Sequence, residues 1–139
     1  MKEEKIFLPL TSKNICEIYN ILCAAGLVTF PIPFDAEQKI QAIVANINGY
    51  SLGVPHYFSI EEKVFAYFYF IIKDHPFVDG NKRTATLVFL VLASMNKLQI
   101  VLPDYDLDAL ALYIEDRKPQ DHHEFIYSIS QLILLPKAS

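Results

Sequence analysis

From His75 to Ala85 the chain reads His-Pro-Phe-Val-Asp-Gly-Asn-Lys-Arg-Thr-Ala. This short stretch holds a proton acceptor, a carboxylate and two cations. His75 has the side chain that most readily takes or gives a proton near neutral pH. Asp79 offers a hard carboxylate oxygen, the kind magnesium takes when it also holds phosphate oxygens. Lys82 and Arg83 add full positive charge. A helix that begins here leaves its first N–H groups without intrahelical partners, and its dipole favours an anion. Together these residue types point to chemistry on a phosphate-containing substrate.

Apolar runs flank the polar stretch, Val64 to Ile72 before it and Ala85 to Met95 after it. The predicted plan is helix, polar loop, helix, with the loop running into the second helix. Ser59 and Glu62 have capping-box spacing and start the first helix, from Ile60 to about Lys73. It is apolar nearly all round, so it belongs in the middle of a domain. Its aromatic residues are read as core rather than as a base-stacking platform. Asn96-Lys97 ends the second helix, and Leu98 to Leu102 reads as extended.

Other elements must surround this pair. Ile6 to Leu10 reads as a short extended piece. Thr11, Ser12 or Asn14 can cap a first helix, and Asn14 with Glu17 has capping-box spacing. Ile15, Ile18, Tyr19 and Leu22 form its apolar face, and Gly26 is its stop. After a connector with Pro31 and Pro33, Asp35 is predicted to cap a second helix bearing Ile40, Ile43, Val44 and Ile47. Gly49 to Phe58 holds two glycines, a proline and aromatics, which read as a loop or small hairpin. A fifth helix starts near Asp106 or Asp108 and runs to about Asp116, with Pro119 as its breaker. Asp121 and Glu124 begin a last helix through about Leu135. The predicted fold class is all-α: one compact domain over residues 1–139, with about six helices and no internal repeat or linker.

At 139 residues, with 53% hydrophobic and 20% charged, the chain can bury a real core. Net charge is −4 and the pI about 5.5. That balance argues against a broad nucleic-acid face, so any positive site must be local. Cys16 and Cys23 lie on one helix face and cannot easily bridge each other. With no secretory signal they are expected to be reduced, in a cytoplasmic protein. No uncharged apolar stretch approaches ~18 residues, so no membrane span is expected.

Several other patterns have plainer explanations. Asp104, Asp106, Asp108 and Glu115 match four positions of a calcium loop, but Ala109 stands where the turn needs Gly. Leu107, Leu110 and Ile114 run at helical spacing instead, so the acids read as a helix start. His122 and His123 are adjacent and would point about 100° apart on a helix, a poor pair for one ion. His56 sits in a connecting loop with no evident partner. A merely structural helix–loop–helix corner would not need so many polar groups aimed at one point.

The residues from His75 to Arg83 resemble the Fic/Doc family, whose pattern is His-x-Phe-x-Asp/Glu-Gly-Asn-Gly/Lys-Arg. Every fixed position matches. The resemblance implies a compact Fic/Doc-like helical fold. It also implies roles for individual residues. His75 would be the general base for a target hydroxyl, and Phe77 the loop's anchor in the core. Asp79 would hold Mg2+ on the phosphates of ATP. Gly80, Asn81 and Lys82 would shape an anion cradle, with the Asn81 side chain helping, and Arg83 would bind phosphate. Gly49 to Phe58 would be a flap that aligns a target protein strand by main-chain pairing. Lys82 stands where the adenylyl-transferring branch has Gly, and Thr86 where that branch has a second Arg. Both are features of the Doc (death-on-curing) toxin branch, although Doc itself has Ala at the Gly80 position. A Lys82 side chain would crowd the cradle, and the branch implies γ-phosphoryl transfer to Ser or Thr of a protein such as a translation factor. Adenylyl (nucleotidyl) transfer, AMPylation, is the alternative. A non-catalytic interaction module on the same fold is a further one. No Glu is followed by Gly or Asn, so the family's self-inhibitory motif is absent. Restraint would then come from an inhibitory antitoxin protein.

Overall fold

The computed structural model describes residues 5–102, 104–118 and 121–138. Six helices are described: α1 (Ser12–Ala24), α2 (Ala36–Ile47), α3 (Ile60–Asp74), α4 (Asn81–Met95), α5 (Asp104–Asp116) and α6 (His122–Ile133). Four short strands accompany them, β1 (Tyr50–Ser51), β2 (Val54–Pro55), β3 (Leu98–Ile100) and β4 (Leu134–Pro136). The architecture is the mainly helical one expected, with a small antiparallel hairpin of β1 and β2 between α2 and α3.

Helix α3 is the centre. Every residue from Val64 to Ile72 is buried, and α3 packs against α2, α4, α5 and α6. The capping box forms as its spacing requires. Ser59 Oγ accepts from the Glu62 N–H at 3.0 Å, and Glu62 Oε1 accepts from the Ser59 N–H at 3.3 Å. Helix α4 lies alongside through Ala85, Val88, Phe89 and Leu92, with Phe89 against Phe65 and Phe68. Helix α1 packs on α2 and α4.

Several boundaries differ from their sequence expectations. The cap of α1 is Thr11, and Asn14 is its reciprocal partner rather than the start of a box with Glu17. The hydroxyl accepts from the Asn14 N–H at 3.1 Å and Asn14 Oδ1 accepts from the Thr11 N–H at 3.0 Å. Asp35 precedes α2 without a side-chain cap. Its carboxylate lies 3.5 Å from Lys39 instead. Helix α5 begins at Asp104, earlier than expected, so the acids matched to a calcium loop lie on one continuous helix. Among the described residues no group of three His, Cys, Asp or Glu could hold a metal ion. Pro119, the expected breaker, lies outside the described residues. Helix α6 stops at Ile133, because Leu134 to Pro136 turn extended and pair with β3. That pairing joins segments far apart in sequence, which no local pattern encodes.

Two braces tie the N-terminal segment to this core. Asn96 accepts from the Leu8 N–H at 2.8 Å and donates to the Leu8 carbonyl at 3.0 Å. Tyr67 donates to the Leu10 carbonyl at 3.0 Å. No described helix is long and apolar enough to cross a membrane. Cys16 and Cys23 are free thiols.

Candidate active site

Helix α3 ends at Asp74, and His75 is its C-cap with φ 48° and ψ 60°. A left-handed backbone at a residue other than glycine is uncommon and costs energy, so its neighbours must hold it. Phe77 supplies part of that hold. It is 3% exposed, and its ring stacks on Tyr19 at 4.1 Å between centroids. The Tyr19 hydroxyl donates to the Phe30 carbonyl at 2.5 Å. Burial first, then Cys23 and Asp79 nearby, pushes that hydroxyl up to about 12, so it stays a donor.

Asn81 locks the turn. Its Oδ1 accepts from the Phe77 N–H at 3.0 Å, and its Nδ2 donates to the Phe77 carbonyl at 2.8 Å. The same Nδ2 lies 3.0 Å from His75 Nδ1. An amide nitrogen can only donate, so Nδ1 is the acceptor and a neutral ring carries its hydrogen on Nε2. The Asn81 side chain, expected to help cradle an anion, is thus taken up by the loop and by His75.

Gly80 is the N-cap of α4, with φ 78°. A Cβ there would stand 2.5 Å from Val28 Cγ2, so both backbone conformation and space require glycine. No side chain caps the first turn of α4. Its leading N–H groups therefore remain available to an anion. Thr86 Oγ1 donates back to the Lys82 carbonyl at 2.8 Å and stays on its own helix.

The remaining groups meet in a cleft of about 290 Å³. His75, Asp79, Gly80, Asn81, Lys82 and Arg83 all line it, while Phe77 lies beneath. The Arg83 guanidinium is exposed and donates to the Leu27 carbonyl. Sequence reasoning missed three lining residues: Leu27, Val78 and Glu115. Leu27 and Val78 give the cleft an apolar flank. Glu115, on the last turn of α5, has Oε2 at 2.9 Å from Lys82 Nζ and 3.5 Å from His75 Nε2. The hydrogen bond from Lys82 is the main reason its carboxyl lies below the usual range. The expected hairpin is present as β1–β2, but none of its described residues lines the cleft.

With this geometry the comparison with known families is decisive: the model of the Fic/DOC family matches residues 9–93, more than half of the chain. The chain belongs to the Fic/DOC family. The match spans α1 to α4 and the whole loop from His75 to Arg83, whereas α5 and α6, and Glu115 with them, follow it. No curated protein and no solved structure matches the chain. Fic/DOC proteins generally transfer nucleotide-derived groups onto proteins, typically with ATP and Mg2+. The residues present suit that pairing. Magnesium is commonly bound by one or two carboxylates together with substrate phosphates, and exposed Asp79 lines the cleft beside the open N–H groups of α4.

His56 has partners that its sequence context did not reveal. Its Nδ1 donates to the Asn46 carbonyl at 2.7 Å and its Nε2 lies 2.6 Å from Ser51 Oγ. The ring therefore fastens the hairpin to the end of α2. A second polar network joins the last turns of α3 to the chain after α5 and to the start of α6. Tyr69 bonds His122 Nδ1 at 2.5 Å and accepts from Arg117 at 3.0 Å, while Lys73 donates to the Arg117 carbonyl. Arg117 also lies 4.3 Å over the Phe125 ring. This network fixes the chain just after α5, two residues beyond Glu115.

Proposed function

We propose that this Fic/DOC protein is a Doc-like toxin that transfers the γ-phosphoryl group of ATP to a Ser or Thr hydroxyl of a target protein, a translation factor. One observation carries the reading: His75, Asp79, Lys82 and Arg83 converge on a single cleft at the uncapped start of α4. The hydroxyl oxygen would bond to phosphorus, the bond from phosphorus to the departing ADP oxygen would break, and His75 would take the hydroxyl proton. The α4 N–H groups and Arg83 would hold phosphate oxygens. Bound by Asp79, magnesium would neutralise phosphate charge. In the arrangement described, Asn81 engages the lone pair of His75 Nδ1 while the Nε2–H faces Glu115, so proton uptake requires the Asn81 contact to open or the ring to change tautomer. The β1–β2 hairpin offers exposed backbone for pairing with a target strand. An antitoxin protein would supply the restraint that the chain's own sequence lacks.

A specific observation also supports nucleotidyl transfer. Lys82 is drawn aside to Glu115, so its side chain does not fill the N–H cradle as the sequence led one to expect. The cradle can then accept a nucleotide in either direction. ATP labelled at the α or the γ phosphate, incubated with the protein in a cell lysate, separates the two. Label entering protein from γ alone supports phosphoryl transfer, and from α alone nucleotidyl transfer. His75→Ala should abolish growth inhibition in expressing cells. Undiminished inhibition would favour a non-catalytic interaction module.

A further inference from the structure

We infer that Glu115 is a positioning residue for this site: it sets the register between His75 and Lys82 and keeps the lysine out of the α4 cradle. The inference rests on the transfer reading above and adds a residue outside the matched family segment. One carboxylate oxygen serves both partners, at 2.9 Å from Lys82 Nζ and 3.5 Å from His75 Nε2. Lys82 is the second residue of α4, where an extended ammonium could reach over the first N–H groups. It reaches instead to a residue 33 positions along the chain. The Glu115 side chain is 30% exposed, so the pair is partly shielded and its geometry is held from both ends.

The end of α5 is itself anchored. The Lys73 ammonium holds the Arg117 carbonyl, and the Arg117 guanidinium is held by Tyr69 and the Phe125 ring. Glu115 is therefore delivered to the cleft by a network that includes none of the cleft's own groups.

A carboxylate beside a phosphate site has two opposing effects. It repels the incoming anion, which weakens binding. It also orients the ring and the ammonium that meet the reacting group, which favours the chemical step. This sets Glu115 apart from a residue that only supports the fold, because the two effects appear in different kinetic constants.

The test uses the full chain with MgATP. Glu115→Gln keeps shape and removes charge. It should lower KM and the Kd for MgATP about 5-fold, and lower kcat about 10- to 100-fold. Glu115→Asp keeps charge and shortens the reach, so it should leave Kd near wild type while kcat still falls. Thermal midpoints near that of wild type show that both variants fold. If wild-type protein transfers label and Glu115→Gln keeps full kcat, the inference is overturned. If wild-type protein transfers nothing, the transfer reading fails by itself, and the inference is read from MgATP titration. There, tighter binding by Glu115→Gln alone supports it and equal binding by all three proteins overturns it.

Discussion

The cleft depends on a few residues whose alternatives are excluded for definite reasons. Gly80 cannot gain a Cβ without meeting Val28, and it sits at φ 78°. Gly80→Ala should therefore cost about 1–3 kcal/mol through strain, with the clash in addition. The measurements are a lower thermal midpoint and weakened MgATP binding, and an unchanged midpoint would count against the required left-handed turn. Asn81 is 4% exposed and satisfies both the N–H and the carbonyl of Phe77. Asn81→Asp puts an acceptor where Nδ2 donates, facing a carbonyl. The expected loss is about 1–3 kcal/mol of stability, read by urea unfolding, together with loss of transfer. The motif announced both positions, but not why they are needed. Val28 as the wall behind Gly80 becomes visible only when α1's connector is folded against α4.

At the scale of elements, local chemistry and packing had separate effects. The Ser59–Glu62 box starts α3 where its spacing places it. Ser59→Ala should destabilise the protein by about 1 kcal/mol without moving the cleft, which a urea titration and MgATP binding would show together. Asp35 has the right residue type for a cap but a helical ψ of 0°, so its carboxylate turns to Lys39. The last turn assigned to α6 became β4, because residues Leu134 to Pro136 find a partner in β3. A main-chain ladder supplied by a distant segment overrode a helical pattern that was only locally favourable.

Over the whole molecule, the network that joins α3, α6 and the end of α5 gives a pH signature. Burial first, and then the Arg117 charge, lowers the pKa of His122 from its ordinary 6.5. Lys73 and His123 act in the same direction, while Asp74 opposes them. The unfolded chain thus takes up this proton at higher pH than the folded one. The contribution to stability is full above about 6.5 and is lost as pH falls through the lower folded value. Thermal midpoints should decline from pH 7 toward pH 5, and His122→Phe should flatten that slope. An equally steep slope in the variant would remove His122 as its source. Glu115 adds a separate, more acidic loss, since its lowered carboxyl stabilises the fold only while ionised.

The sequence by itself determined the helical plan, the buried centre and the loop whose residues mark a Fic/DOC protein. Apolar periodicity, capping pairs and motif spacing are properties of neighbouring residues, and neighbours are what a sequence displays. Only the tertiary structure decided that Asn81 serves His75, that Lys82 leaves the cradle, and that Glu115 belongs to the site. Those contacts depend on side-chain direction and on the packing of α5 against α3 and α4. A separation of 33 residues between Lys82 and Glu115 carries no trace of the 2.9 Å between their charges.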